Sequence, residues 1–267
     1  MPVLERPAGN ISYQVTGNAG PALLLSHGYA ATSAMFAGNV AALAATHRVV
    51  TWDLRGHGSS DYPPDAASYS GANALADMTA LLTELGLDRA VLGGHSLGGY
   101  LSLQFTLRFP DQVTGLVLID TGPGFRNDAA RDGWNRSAHR RAEVLAERGL
   151  AALRGSAELH DGEHRDATGL INAARYTLTQ QDAHVIDGLP QIAVPTLVIV
   201  GADDTPFLGA ADYMTAKIPQ ARKVVIPAAG HAPNVSQPEI FNAEVSRFLQ
   251  ELSDEVDSRG PVAEERS

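Results

Sequence analysis

The chain has 267 residues, 19% of them charged, a formal net charge of −10 and no cysteine. That length suits one α/β domain with a substantial core, and the acidic balance argues against nucleic acid and anionic membranes as partners. No basic run reverses this locally, since Arg140 and Arg141 are interleaved with Glu143 and Glu147; the missing cysteines exclude disulfides, thiolate metal ligands and a cysteine nucleophile.

In chain order, residues 1–6 carry both charge signs where a signal peptide needs an apolar segment, and no run approaches about 18 apolar residues. The expectation is a soluble, unprocessed cytoplasmic protein without membrane insertion. Apolar and β-branched runs predict strands over 11–15, 22–25, 49–52, 90–92, 113–119, 196–200 and 223–226. Helical patterns fall between most of them, over 73–85, 100–109, 208–217 and 239–252, and Pro110 closes the second. Such alternation predicts an α/β fold: a mostly parallel central sheet with helices on both faces.

From 123 to 189 the rhythm lapses, leaving only amphipathic segments such as 142–153. An insertion of that length predicts a helical lid over the C-terminal edge of the sheet, where open α/β folds bind ligands. The organisation expected is a core of 1–122 and 190–250, a lid of 123–189, and a charged mobile tail of 251–267.

Between the strand 90–92 and the helix that follows stands Gly-Gly-His-Ser-Leu-Gly-Gly, with Ser96 at its centre. The pattern alone is weak evidence in a glycine-rich chain; its setting, strand before and helix after, makes it specific. A serine at such a turn is held exposed, and glycines two residues to either side, Gly94 and Gly98, keep side chains from colliding there. Its hydroxyl is a poor nucleophile at neutral pH and needs a histidine to take its proton, which in turn needs a carboxylate to fix its tautomer. Later in the chain His231 sits in a loop after the strand 223–226, and Asp203 and Asp204 end the strand 196–200. Asp120 ends the strand 113–119, so three carboxylates compete for one role.

Taken together, Leu25-Ser-His-Gly-Tyr29, Trp52-Asp-Leu-Arg-Gly-His-Gly-Ser59, Gly94-His-Ser-Leu-Gly98, Gly201-Ala-Asp-Asp204 and Gly230-His231 make the chain resemble the α/β-hydrolase superfamily, of the lid-bearing serine esterase type, over about residues 11 to 250. The resemblance implies Ser96 as nucleophile, His231 as base and Asp204 as acid, with Asp120 the alternative place where some members keep it. It implies an oxyanion hole from the backbone N–H groups of Tyr29 and Leu97. Epoxide hydrolases and haloalkane dehalogenases of the superfamily carry aspartate at the nucleophile position, so Ser96 argues against both.

The activity implied is hydrolysis of a small or medium carboxylic ester through an acyl-enzyme, with a small-molecule substrate and no cofactor. Lactonases, thioesterases, carbon–carbon bond hydrolases and cofactor-free perhydrolases use the same apparatus. A ligand receptor with a residual hydrolase site is a reading of another class, told apart by turnover. His27, His57 and His95 are expected to orient loops, with His27 and His95 also candidates for the pocket wall beside Trp134 and His139 of the insertion. Asp53 and Arg55 read as paired scaffolding. His160 and His164, four residues apart with acids between, invite a metal reading, but Gly162 weakens the helix that would align them, and no metal is expected.

Overall fold

Successive side chains of a strand point to opposite faces, so a fully apolar strand serves two cores at once. On the strand Val113–Ile119, Leu116 and Leu118 enter one core while Val117 and Ile119 enter the other, all completely buried. The computed structural model describes residues 2–154 and 164–259. Its strands are β1 (Val3–Leu4), β2 (Ile11–Thr16), β3 (Ala22–Ser26), β4 (Arg48–Trp52), β5 (Ala90–His95), β6 (Val113–Ile119), β7 (Thr196–Gly201) and β8 (Ala221–Ile226). They form one sheet in the order β1-β2-β4-β3-β5-β6-β7-β8; β2 is antiparallel to both its neighbours, and β4, β3 and the strands beyond run parallel.

Helices cover both faces. Met78, Leu81, Leu101, Phe105 and Met214, from α2 (Gly71–Glu84), α3 (Leu97–Arg108) and α7 (Thr205–Lys217), pack on one side. On the other, Leu43 of α1 (Ala37–Leu43) meets Phe241, Val245 and Leu249 of α9 (Pro238–Arg259), which follows the short α8 (Pro233–Ser236). This is the α/β-hydrolase fold anticipated from the sequence. Among the described residues no helix is long and apolar enough to cross a membrane.

The charged groups read as scaffolding are spent as such. Arg55 Nε and Nη2 donate to the two oxygens of buried Asp77 at 2.8 and 2.7 Å. Asp53 accepts the N–H groups of Ser33 and Ser59 at 2.7 and 2.9 Å, tying two loops to the end of β4.

Among its described residues, the insertion carries no strand. Helix α4 (Asp128–Arg148) starts where Asn127 Oδ1 accepts the Ala130 N–H at 3.0 Å, and it stops at Gly149, whose φ of 58° leaves the helical region. The amphipathic stretch expected over 142–153 is therefore split there, its second part a tight turn over Gly149–Leu153. Two shorter helices follow, α5 (Ala167–Asn172) and α6 (His184–Gly188).

Residues 251–259, expected to begin a mobile tail, are helical instead, because α9 continues to Arg259; the rest of the expected tail lies outside the described residues. Leu252 still packs on the core, and Arg222 Nη2 reaches Glu251 at 3.3 Å, so docking carries the helix past the last strong apolar turn.

Candidate active site

Ser96 lies between the last residue of β5 and the first of α3, with φ 50° and ψ −112°. That left-handed φ is costly for a residue bearing a side chain and persists where its surroundings enforce it. Here the Ser96 N–H donates to the Ile119 carbonyl at 2.9 Å, and its own carbonyl accepts from Thr121 Oγ1 at 2.6 Å. Close packing completes the constraint: a Cβ on Gly98 would stand 2.1 Å from the Ser26 carbonyl oxygen. The strand therefore turns into the helix within one residue.

His231 Nδ1 is 2.7 Å from Asp204 Oδ2, with Asp204 buried and the imidazole 30% exposed. The bond places the His231 proton on Nδ1 and leaves Nε2 as a base. Phe207, in the first turn of α7, packs tilted against the His231 ring at a centroid distance of 4.8 Å. His95 meets the same ring edge to face at the same distance, its Nε2 2.6 Å from the His231 carbonyl. Burial first, then the nearby His231, pushes His95 down to about 3, so it is neutral and donates that hydrogen bond.

The competing acids are separated by position. Asp203 is exposed. Asp120, buried at the end of β6 with φ 41°, accepts the Gly201 N–H at 3.0 Å and so braces the turn that carries Asp204. Donor atoms of Asp120, Asp204 and His231 lie within 4.8 Å of one another, the group nearest a metal-ligand set among the described residues, yet Nδ1 of His231 is already engaged by Asp204. Of the histidine pair read as a metal candidate, His160 lies outside the described residues. His164 instead accepts the Gly58 N–H through Nδ1 at 3.2 Å and donates through Nε2 to the Ala30 carbonyl at 2.9 Å.

His27 works through the loop beside the serine. Its Nε2 accepts the Leu54 N–H at 2.9 Å, so the proton is on Nδ1, which donates to the Gly28 carbonyl at 2.7 Å. Burial pushes His27 down to about 3, which keeps that tautomer neutral. The Ala31 N–H donates to the same carbonyl at 3.2 Å. In a trans peptide C=O and N–H point opposite ways, so fixing the Gly28 carbonyl aims the Tyr29 N–H. Among the described residues that N–H takes no part in the loop's backbone hydrogen bonds. The loop touches the serine, since a Cβ on Gly28 would stand 3.3 Å from Ser96 Cβ. Leu97 N–H, at the first position of α3, lacks an intrahelical acceptor.

A cavity of about 420 Å³ opens at Ser96. Its wall is largely apolar: Phe125, Trp134, Leu178 and Ile186 from the insertion face Pro206 and Phe207 of α7. Trp134 is fixed there by Nε1, which donates to the Leu178 carbonyl at 2.9 Å. Of the four candidate wall residues, Trp134 alone lines it. His139 is exposed to solvent on α4, and His27 and His95 are buried, each with one ring nitrogen bonded to a backbone carbonyl, and neither lines the cavity. Sequence reasoning missed Phe125, Thr121 and Phe207, although all three lie in the segments that leave the C-terminal ends of β6 and β7, where such sites are built.

Comparison with known proteins gives a consistent picture. Residues 23–244 match the family described as "Alpha/beta hydrolase family". The chain is 31% identical over 263 residues to a pimeloyl-[acyl-carrier protein] methyl ester esterase of Nitrosomonas europaea, covering 87% of this chain and 96% of that protein. It is 28% identical over 272 residues to 3-oxoadipate enol-lactonase 1 of Acinetobacter baylyi, covering 94% and 97%. Among solved structures, a thermophilic esterase from Thermogutta terrifontis superposes with a TM-score of 0.77 at 28% identity, over 94% of this chain and 97% of that one.

Proposed function

Because the chain belongs to the alpha/beta hydrolase family, we propose that it hydrolyses carboxylic esters of small or medium size through a covalent acyl-enzyme on Ser96. The observation that carries this reading is that Ser96, on its strained turn, and Phe207, packed against the ring of the His231 bonded to Asp204, line one apolar cavity. Ser96 Oγ attacks the ester carbonyl carbon as His231 Nε2 takes its proton, and the leaving alkoxide receives that proton. Water then attacks the acyl-enzyme with the same histidine as base, and the proton returns to Ser96. Asp204 holds Nδ1–H and offsets the imidazolium charge. The N–H groups of Tyr29 and Leu97 receive the developing oxyanion, and Leu97 adds the positive end of α3. No step calls for a cofactor.

A volume of about 420 Å³ falls in the lower part of the range of small-molecule sites, roughly 300–1,000 Å³. Its apolar wall suits an alkyl or aryl group. The similarity to an enol-lactonase keeps cyclic esters in scope. The insertion acts as the lid of this cavity, since it supplies seven of the sixteen residues of the wall. The test is turnover on p-nitrophenyl esters of increasing chain length, beside lactones and acyl thioesters, with Ser96→Ala as control and a fluorophosphonate as label. Labelling away from Ser96, or a Ser96→Ala enzyme within about tenfold of wild type, would sink the assignment; single-turnover behaviour on every ester would favour a receptor.

A further inference from the structure

We propose that His164, contributed by the inserted segment, is a positioning residue for the oxyanion loop, so that the insertion completes the reactive edge as well as roofing the cavity; this rests on the serine-hydrolase reading above. Ala30 immediately follows Tyr29, whose N–H that reading places in the oxyanion hole. Its φ is 60°, a left-handed conformation that an alanine keeps only under constraint. The constraint comes from two imidazoles, one on each side of the residue. The Ala30 N–H donates to His57 Nε2 at 3.1 Å, and the Ala30 carbonyl accepts from His164 Nε2 at 2.9 Å. Both rings are used at their second nitrogen too: His57 Nδ1 donates to the Arg55 carbonyl at 2.9 Å, and His164 Nδ1 accepts the Gly58 N–H at 3.2 Å.

His57 belongs to the core, on the loop after β4, whereas His164 belongs to the insertion. The rings stand 5.9 Å apart, edge to face, and His57 also packs 5.0 Å from His27, the group that aims the Tyr29 N–H. A short strap of insertion is fastened over these loops. Arg165 N–H donates to the Tyr62 hydroxyl at 3.2 Å, Tyr62 donates to the Gly58 carbonyl at 3.1 Å, and the Tyr29 hydroxyl donates to the Leu170 carbonyl at 3.0 Å. The His164 contact falls on the strained residue itself. Removing it frees the Ala30–Ala31 peptide to rotate; that peptide carries the Ala31 N–H that donates to the Gly28 carbonyl, so the peptide bearing the Tyr29 N–H loses one of the two bonds that aim it.

The experiment compares His164→Gln with His164→Asn. The glutamine amide can still donate to the Ala30 carbonyl from the Nε2 position; the shorter asparagine can accept from Gly58 but does not reach Ala30. Each is assayed on an ester and on its thiono analogue, in which sulfur replaces the carbonyl oxygen and accepts hydrogen bonds poorly, so that the hole contributes little. His164→Asn is expected to lower kcat on the oxygen ester by about tenfold to a hundredfold with KM within about twofold, and to change thiono turnover far less. His164→Gln should restore most of the oxygen-to-thiono rate ratio. An unchanged ratio in both variants, whether the two rates fall together or neither falls, overturns the proposal, because a merely structural histidine affects both substrates alike. A failure of the underlying reading shows separately, as activity surviving Ser96→Ala, and would remove the proposal with it.

Discussion

Mild acid should unfold this protein in a window set by its buried histidines. Burial pushes His27 and His95 from 6.5 down to about 3 and carries His57 well below 6.5; nearby imidazoles push the same way, and hydrogen bonds to backbone carbonyls oppose in part. In the unfolded chain each would bind a proton near pH 6.5. Between that value and about 3 the unfolded state therefore holds more protons than the folded one, so their contribution is complete above pH 6.5 and is lost as pH falls. Each depressed histidine costs about 1.4 kcal/mol per pH unit inside the window, and the three together about 4 kcal/mol per unit. A domain with a stability of roughly 5–15 kcal/mol therefore loses most or all of it inside this window, a marginal one within about one unit of 6.5. Urea unfolding followed by circular dichroism at pH 7, 6, 5.5 and 5 measures the slope before most carboxylates titrate. His95→Gln should remove about a third of it. An unfolding free energy that stays flat from pH 6.5 to 5 would refute the neutral, hydrogen-bonded histidines on which the loop geometry depends.

Asp204→Asn should cut kcat by a factor on the order of 10⁴, because the amide can donate to His231 Nδ1 and so favours the wrong tautomer. Asp203→Asn and Asp120→Asn should each stay within about tenfold, since Asp203 is exposed and an asparagine at 120 can still accept the Gly201 N–H; a crippled Asp120→Asn enzyme would transfer the acid role to that residue. Gly98→Ala should lower Tm by roughly 10 °C or prevent folding, because the backbone carbonyl facing its Cβ cannot step aside; a thermal shift within about 2 °C would contradict the packing. Trp134→Ala should move the preferred p-nitrophenyl ester toward longer chains by enlarging the apolar wall, and an unchanged chain-length profile would show that Trp134 does not bound the substrate.

Local chemistry made much of this protein legible before any fold was known. Glycines flanking Ser96 between an apolar strand and a helix specify a tight turn wherever they occur, and apolar runs separated by helical patterns lead to a parallel sheet because neither element can bury its surface alone. Both signals depend on neighbours in sequence. Which carboxylate meets His231 does not: Asp120, Asp203 and Asp204 all follow the ends of parallel strands, and in the folded chain Asp204 Oδ2 stands 2.7 Å from His231 Nδ1 while the adjacent Asp203 is exposed. Trp134 and His139 lie in one helix, about 140° apart around its axis, and docking on the core decided which of them met the cavity. Docking likewise carried α9 past residue 251, where composition alone suggested a loose tail, by seating Leu252. His164 gave a sequence signal only as a metal candidate. Its hydrogen bond to the carbonyl of Ala30, 134 residues earlier, exists because two distant loops close on one another, and no local pattern encodes a contact of that span.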